Sequence, residues 1–347
     1  MATMKSVRTG AVGKVDVVDV ERPAPGPKDV LMKVRACGIC GTDATFLHMG
    51  GMPARGHAGG ELIPVALGHE PAGEIVEVGA EVTDLKVGDR VVVNPQAAPT
   101  GIIGCGGKFG AMSDHLLIEN AVVGTSVAVF PETMPFAVAA LNEPMAVARH
   151  AVNRSRATST DKVVVFGAGP IGLGATIWLK LRGVQHVVVA DVIPERLETA
   201  LAVGADAVIN SATEDITARL TELHGAAANA LGQPRAGTDL YLDAAGAPAV
   251  FDATVASAKW GARMVMVAVQ KKSGAIDLGG MLRSELTLIA SQGYPTEIFE
   301  VTPELAEHQE RFARLISHRV PFSEVEQAFE LVLTPGAAEK VVVTFDE

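Results

Sequence analysis

Cysteine is scarce: Cys37, Cys40 and Cys105 are the three in a chain of 347 residues. So small and odd a number is a poor basis for a disulfide framework, and reduced thiols are expected. Aromatic side chains are few as well, at 4% of the chain with two Trp and two Tyr, and give no signature of a particular ligand. No apolar run approaches the roughly 20 residues of a membrane span, and the polar stretch after Met1 carries no signal-peptide core. Lys and Arg number 29 against 40 Asp and Glu, a net charge of −11 without the basic surface that phosphate binding needs. These absences lead to a cytoplasmic protein with neither nucleic acid nor membrane as partner.

What is present is the composition of an ordered globular protein, 48% hydrophobic and 20% charged, with 36 Gly and 19 Pro for tight turns. The length exceeds the roughly 250–300 residues at which one core stops growing, so two domains are expected. From residue 5 to about 130, Val- and Ile-rich segments such as Val30–Ala36, Gly73–Val78 and Arg90–Val93 alternate with Gly, Pro and Asp clusters, a β-rich pattern. A helical stretch from Met134 to about Asn153 ends in the polar run 154–160, read as a domain entrance.

Beyond Lys162 buried-looking strands alternate with helices: Val163–Phe166, Val187–Ala190, Ala207–Ile209, Leu240–Leu242, Met264–Val267 and Leu286–Ile289. Continuous apolar strands between helices indicate a parallel sheet covered on both faces, an α/β doubly wound fold. The Ala- and Gly-rich segment Glu222–Gly237 reads as a helix end and surface loop, two helical segments follow Tyr294, and Lys340–Phe345 closes the chain as a strand.

The run Val163-Val164-Val165-Phe166-Gly167-Ala168-Gly169-Pro170-Ile171-Gly172 sets a Gly-x-Gly-x-x-Gly pattern between a buried strand and a helix. Gly167 permits the tight turn, Gly169 lets the backbone approach a pyrophosphate, and Gly172 lets helix pack on strand; Pro170 and Ile171 open the helix whose free N–H groups meet the phosphates. Asp191 follows at the spacing of a carboxylate that accepts from ribose hydroxyls and repels a 2′-phosphate, so NAD is expected rather than NADP. Arg196, a helical turn further on, is the residue in reach of such a phosphate.

Cys40, His69 and Glu70 offer a thiolate, an imidazole and a carboxylate, which suit zinc and leave a fourth position open for substrate or water. Spacing alone leaves this signal weak. The pair Cys37-x-x-Cys40 also has a redox-dithiol reading, but that motif belongs at a helix start in a small βαβ-type domain, not among β-strands.

Taken together the motifs resemble the zinc-containing medium-chain dehydrogenase/reductase family, over nearly the whole chain. Gly68-His69-Glu70 followed by Gly73, Gly79 and Val82 reproduces the zinc signature, Gly88-Asp89-Arg90-Val91 follows it, and Cys40-Gly41-Thr42-Asp43 and the glycine fingerprint fall in the family's order. The resemblance implies a GroES-like β-rich catalytic domain over residues 1–150, completed by 296–347, and a Rossmann domain over 151–295. Asn142-Glu143-Pro144 is similar to the Glu-Pro motif of the sorbitol, threonine and butanediol dehydrogenase branch, which makes Glu143 a candidate at the metal beside Cys40, His69 and Glu70.

By the same resemblance Thr42 takes the alcohol proton toward Thr45 or water, and the protein is a homo-dimer or homo-tetramer that moves a hydride between a secondary alcohol or polyol and NAD. Two departures stand out. Of the four cysteines of a structural-zinc lobe over Pro95–Ala111 Cys105 alone is present, so one catalytic zinc is expected and no structural one. Thr45 stands where the branch often has a histidine, and neither His48 nor His57 matches that position. Asp43 is expected to accept the His69 N–H, Cys37 to be a packed thiol, and the Gly-rich stretch Met49–Glu61 to be a mobile loop shaping the pocket. Two rival readings are a zinc-free NADPH-dependent reductase, which normally lacks the ligand set, and a non-catalytic dinucleotide-binding protein, which has no use for Thr42.

Overall fold

Val30, Leu31, Met32 and Val34 of Val30–Gly38 and Ile75 of Glu70–Val78 are buried, while Val76 and Val78 are half-buried, and the two strands pair antiparallel from Val30↔Val78 to Gly38↔Glu70. A computed structural model describes residues 2–53, 62–270 and 274–345. The chain divides into two compact units, Met1–Glu143 with Ile298–Glu347, and Pro144–Glu297. The polar run 154–160 lies inside the second.

In the first unit the main sheet orders its strands Ile316–Pro321, Lys340–Thr344, Val30–Gly38, Glu70–Val78, Arg90–Val93 and Val127–Val129, with His115–Ile118 also on Val30–Gly38. Its core gathers Val7, Met32, Val34, Leu67, Ile75, Val91, Met112, Val341 and Val343. The closing strand pairs antiparallel with Val30–Gly38, so the C-terminal segment completes this unit, as expected for Lys340–Phe345. The expectation of two helices after Tyr294 needs correction: Ile316–Pro321 is a strand, parallel to Lys340–Thr344, between the helices Val301–Glu307 and Gln309–Ala313 and the helix Val325–Leu333.

The second unit holds a wholly parallel six-stranded sheet. Its order is Ala207–Asn210, His186–Asp191, Lys162–Phe166, Leu240–Asp243, Arg263–Met266, Thr287–Ala290. Numbered along the chain these six run 3-2-1-4-5-6, so the order reverses between Lys162–Phe166 and Leu240–Asp243, where such sheets bind ligands beyond their carboxyl ends. Within Glu222–Gly237, read as a helix end and surface loop, the helix Ile216–His224 does end, and the loop part forms a short antiparallel hairpin of Ala226–Ala228 and Pro234–Ala236. Among the described residues no helix is long and apolar enough to cross a membrane.

At the amino-terminal edge of this sheet two histidines meet, the rings of His186 and His224 lying 4.9 Å apart edge to face. His224 is buried, its Nδ1 is 2.8 Å from Thr238 Oγ1, and its Nε2 has no hydrogen-bond partner. Burial, then His186 and Lys162, push its pKa down to about 4. The unfolded chain takes up this proton near pH 6.5 and the native state near pH 4, so stability is lost as pH falls through that window. Urea unfolding should show a loss of about 2 kcal/mol from this group between about pH 7 and pH 5, and a shallower loss in His224→Gln. Equal slopes in the two proteins would refute it.

Candidate metal and dinucleotide sites

Cys40 caps the helix Gly41–Met49, and the first-turn carboxylate of Asp43 accepts from the Cys40 N–H at 2.9 Å through Oδ2. Oδ1 of the same group accepts from Gly68 N at 3.2 Å. One buried carboxylate thereby ties the cysteine-bearing helix start to the segment that carries His69 and Glu70. Gly68 has φ +87°, and a Cβ there would lie 2.5 Å from Met112 N, so the turn into His69 requires glycine.

Among the described residues Cys40, His69 and Glu70 are the one cluster of three able to hold a metal, their ligand atoms within 4.8 Å of one another. His69 and Glu70 are buried and Cys40 half-buried. Glu70 Oε1 is buried without a hydrogen-bond partner among the described residues. A carboxylate oxygen left so is costly unless a cation meets it, and a sulfur, an imidazole and this oxygen are a donor set that fits zinc. Burial opposes charge on His69, but Asp43 and then Cys40 outweigh it and raise the imidazole pKa well above its ordinary value. Cys37 is fully buried, which pushes its thiol pKa up and keeps it protonated.

Two partners of this cluster escaped the sequence reading. Lys340, on the last strand and 2% exposed, donates to Ile39 O at 2.9 Å and to Glu70 Oε2. Burial would lower its pKa, but Glu70 more than offsets that and raises it, so the ammonium stays charged. Gly38 lies on the strand between theirs, opposite Glu70 and Val342, and a Cβ there would collide with the Glu70 carboxylate and approach Lys340 Cε to 2.9 Å. The second is Cys105, whose Sγ is 3.5 Å from His69 Nδ1. Asp43 Oδ1, the acceptor expected there, lies 3.7 Å from Nδ1, an ion-pair separation longer than a hydrogen bond.

Of the remaining candidates, Thr42 is half-buried with its hydroxyl 3.7 Å from Cys40 Sγ. Thr45 is exposed, donates to Gly41 O at 3.0 Å, and His48 Nδ1 lies 2.8 Å from Ala44 O. Glu143 is not in the three-ligand cluster; its charge acts on Lys340. His57 and most of the Met49–Glu61 stretch lie outside the described residues.

In the second unit the fingerprint sits at the carboxyl end of Lys162–Phe166 and opens the helix Pro170–Leu181, with Pro170 at its first turn and Ile171 next. Gly167 has φ +92°, and a Cβ on Gly172 would collide with Gly167 O, so both glycines are needed by the turn itself. A Cβ on Gly169 meets nothing within 4 Å, so this glycine is not required by the protein's own packing. Asp191, at the end of the neighbouring strand, accepts from Ala168 N at 2.6 Å and Ile193 N at 2.9 Å, holding the fingerprint turn against that strand end. Arg196 lies in the first turns of the helix Pro194–Ala202.

Family models match in both units: an alcohol dehydrogenase GroES-like domain over residues 26–132 and a zinc-binding dehydrogenase domain over residues 170–307. The (R,R)-butanediol dehydrogenase of Bacillus subtilis is 30% identical over 358 residues, covering 98% of this chain and 99% of the relative. The solved structure of an alcohol dehydrogenase (RspB) from Escherichia coli, complexed with NADH, has a TM-score of 0.81 and 26% identity over 99% of this chain and 100% of that one. A zinc-binding dehydrogenase from Sinorhizobium meliloti bound to NADP gives a TM-score of 0.80 and 28% identity over 99% and 100%. With its GroES-like unit, its parallel doubly wound unit and the cysteine, histidine and glutamate brought together in the first, the chain belongs to the zinc-containing medium-chain dehydrogenase/reductase family, in the branch of the butanediol, sorbitol and threonine dehydrogenases.

Proposed function

We propose that the protein is a zinc-dependent dehydrogenase that moves a hydride reversibly between a secondary alcohol or polyol and NAD. The observation that carries this reading is the cluster of Cys40, His69 and Glu70 with an unpartnered buried carboxylate oxygen. Those three residues would hold one zinc ion, with Glu143, outside that cluster, as the alternative to Glu70 for the third ligand. Zinc held there supplies Lewis-acid polarisation of an alcohol oxygen and lowers its pKa. Thr42 has the position to take the alcohol proton, with its hydroxyl next to Cys40 and half open to solvent. Thr45 is committed to Gly41 O, which favours water as the end of the relay. Cys37 is buried and Cys105 lies at His69, an arrangement that supports a single zinc per chain without a structural site.

Asp191 supports NAD over NADP, since a second negative group beside its carboxylate is repelled. The vicinal diol named in the butanediol dehydrogenase makes small diols the first substrates to try. Secondary alcohols and polyols offered with NAD should reduce the nicotinamide, and full activity after chelation would favour the zinc-free reductase instead. Asp191→Ala should lower the preference for NAD over NADP about tenfold or more, the loss of one or two hydrogen bonds to a charged acceptor. An unchanged ratio in the kinetics would remove the cofactor assignment.

A further inference from the structure

The segment Pro95–Ala111, which corresponds to the four-cysteine lobe of many family members and keeps Cys105 alone, folds back on the metal cluster. A Cβ on Gly104 would lie 2.1 Å from Gly68 O and 3.0 Å from His69 N, and one on Gly110 2.4 Å from Leu67 O. Glycine at these two positions lets the loop backbone touch the backbone of residues 67–69. Ala111 N donates to Gly68 O at 2.8 Å and Met112 N to Leu67 O at 2.9 Å, which closes the loop onto the same segment. What the loop delivers is Cys105, half-buried, with Sγ 3.5 Å from His69 Nδ1.

A ring nitrogen that carries hydrogen needs an acceptor, and two are near. Asp43 Oδ1 is 3.7 Å away and already accepts from Gly68 N, while the larger radius of sulfur makes 3.5 Å a hydrogen-bonding separation. We propose that Cys105 is a positioning residue for His69, its sulfur accepting the Nδ1 hydrogen and leaving Nε2 as the nitrogen for zinc. The inference rests on the zinc reading above. A partner behind the ring fixes its tautomer and orientation, and removing such partners weakens metal binding by about 10- to 100-fold. The thiol that looked like the remnant of a lost structural site thereby acts at the catalytic one.

Zinc affinity by chelator competition and the visible spectrum of the cobalt-substituted protein test this. Cys105→Ala should bind zinc about tenfold more weakly and shift the cobalt bands, and Cys105→Ser, which keeps an acceptor, should recover most of both. Cys105→Ala within twofold of the parent (about the resolution of such a comparison), with unmoved bands, overturns the proposal. So does equal weakening in Ala and Ser, since packing and not the hydrogen bond would then be at work. A parent protein that binds no zinc overturns the zinc reading itself, an outcome distinct from either.

Discussion

Replacing Cys40 by Ala is expected to lower the turnover of a secondary alcohol by at least about a thousandfold, while NADH binds within about threefold of its parent affinity. The first part follows from the chemistry lost. Polarisation by a bound metal lowers the barrier by several kcal/mol, each ~1.4 kcal/mol is a factor of ten, and Cys40 is the sulfur in a cluster of three. The second part follows from position. Gly167, Gly169, Gly172 and Asp191 belong to the other compact unit, where the fingerprint turn is held by that unit's own strand ends. Cys40 suits the test because its thiol is half-buried and its side-chain partner among the described residues, Thr42 at 3.7 Å, is half open to solvent. Steady-state rates and an NADH fluorescence titration read the two halves separately. Retained turnover would favour the zinc-free reductase, and loss of NADH binding would mean that the two sites are not independent.

Lys340→Met should lower the stability of the metal-free protein by about 3 kcal/mol or more, the cost of leaving one member of a buried ion pair alone. Glu70 is 1% exposed, its Oε1 has no partner among the described residues, and its Oε2 depends on the Lys340 ammonium. Zinc should return part of the loss, because a divalent ion at Glu70 restores positive charge beside the carboxylate. Removing both charges in Lys340→Met with Glu70→Gln should also recover stability, since a buried pair replaced together costs far less than a pair broken. Urea unfolding of the single and double variants, with and without zinc, measures all of this. A single variant as stable as the parent, or a double variant no better than the single, would show that Lys340 is not the counter-charge of Glu70.

Much of the site was legible because its signals are local. A glycine fingerprint needs only a strand before it and a helix after it, and Lys162–Phe166 and Pro170–Leu181 supply both from adjacent sequence. Cys40, His69 and Glu70 were a weak signal by spacing alone, and it was the resemblance of Gly68-His69-Glu70 and Cys40-Gly41-Thr42-Asp43 to the family's motifs that singled them out. The terminal strand was legible from its apolar run, and the family resemblance gave it a partner. Lys340 was not, because its meaning is set by a register 270 residues away in the chain: one lysine at the head of a strand looks like any solvated end until Val342 pairs with Gly38 and Gly38 with Glu70. Gly38 carried a signal in retrospect, a small residue at the end of an otherwise bulky strand, which marks a close approach. Cys105 was counted as a departure from a four-cysteine lobe, and no spacing rule reports that Gly104 and Gly110 bring it to His69. Ile316–Pro321 escaped because Ser317, His318 and Arg319 interrupt any alternation, and pairing to Lys340–Thr344 decides its state.

The central claim is a zinc ion held by one sulfur together with nitrogen and oxygen. Metal content joined to X-ray absorption at the zinc edge of the purified protein tests it most directly. One zinc per chain with a single sulfur neighbour is the predicted result; a protein free of zinc, or zinc surrounded by two or more sulfurs, would contradict it.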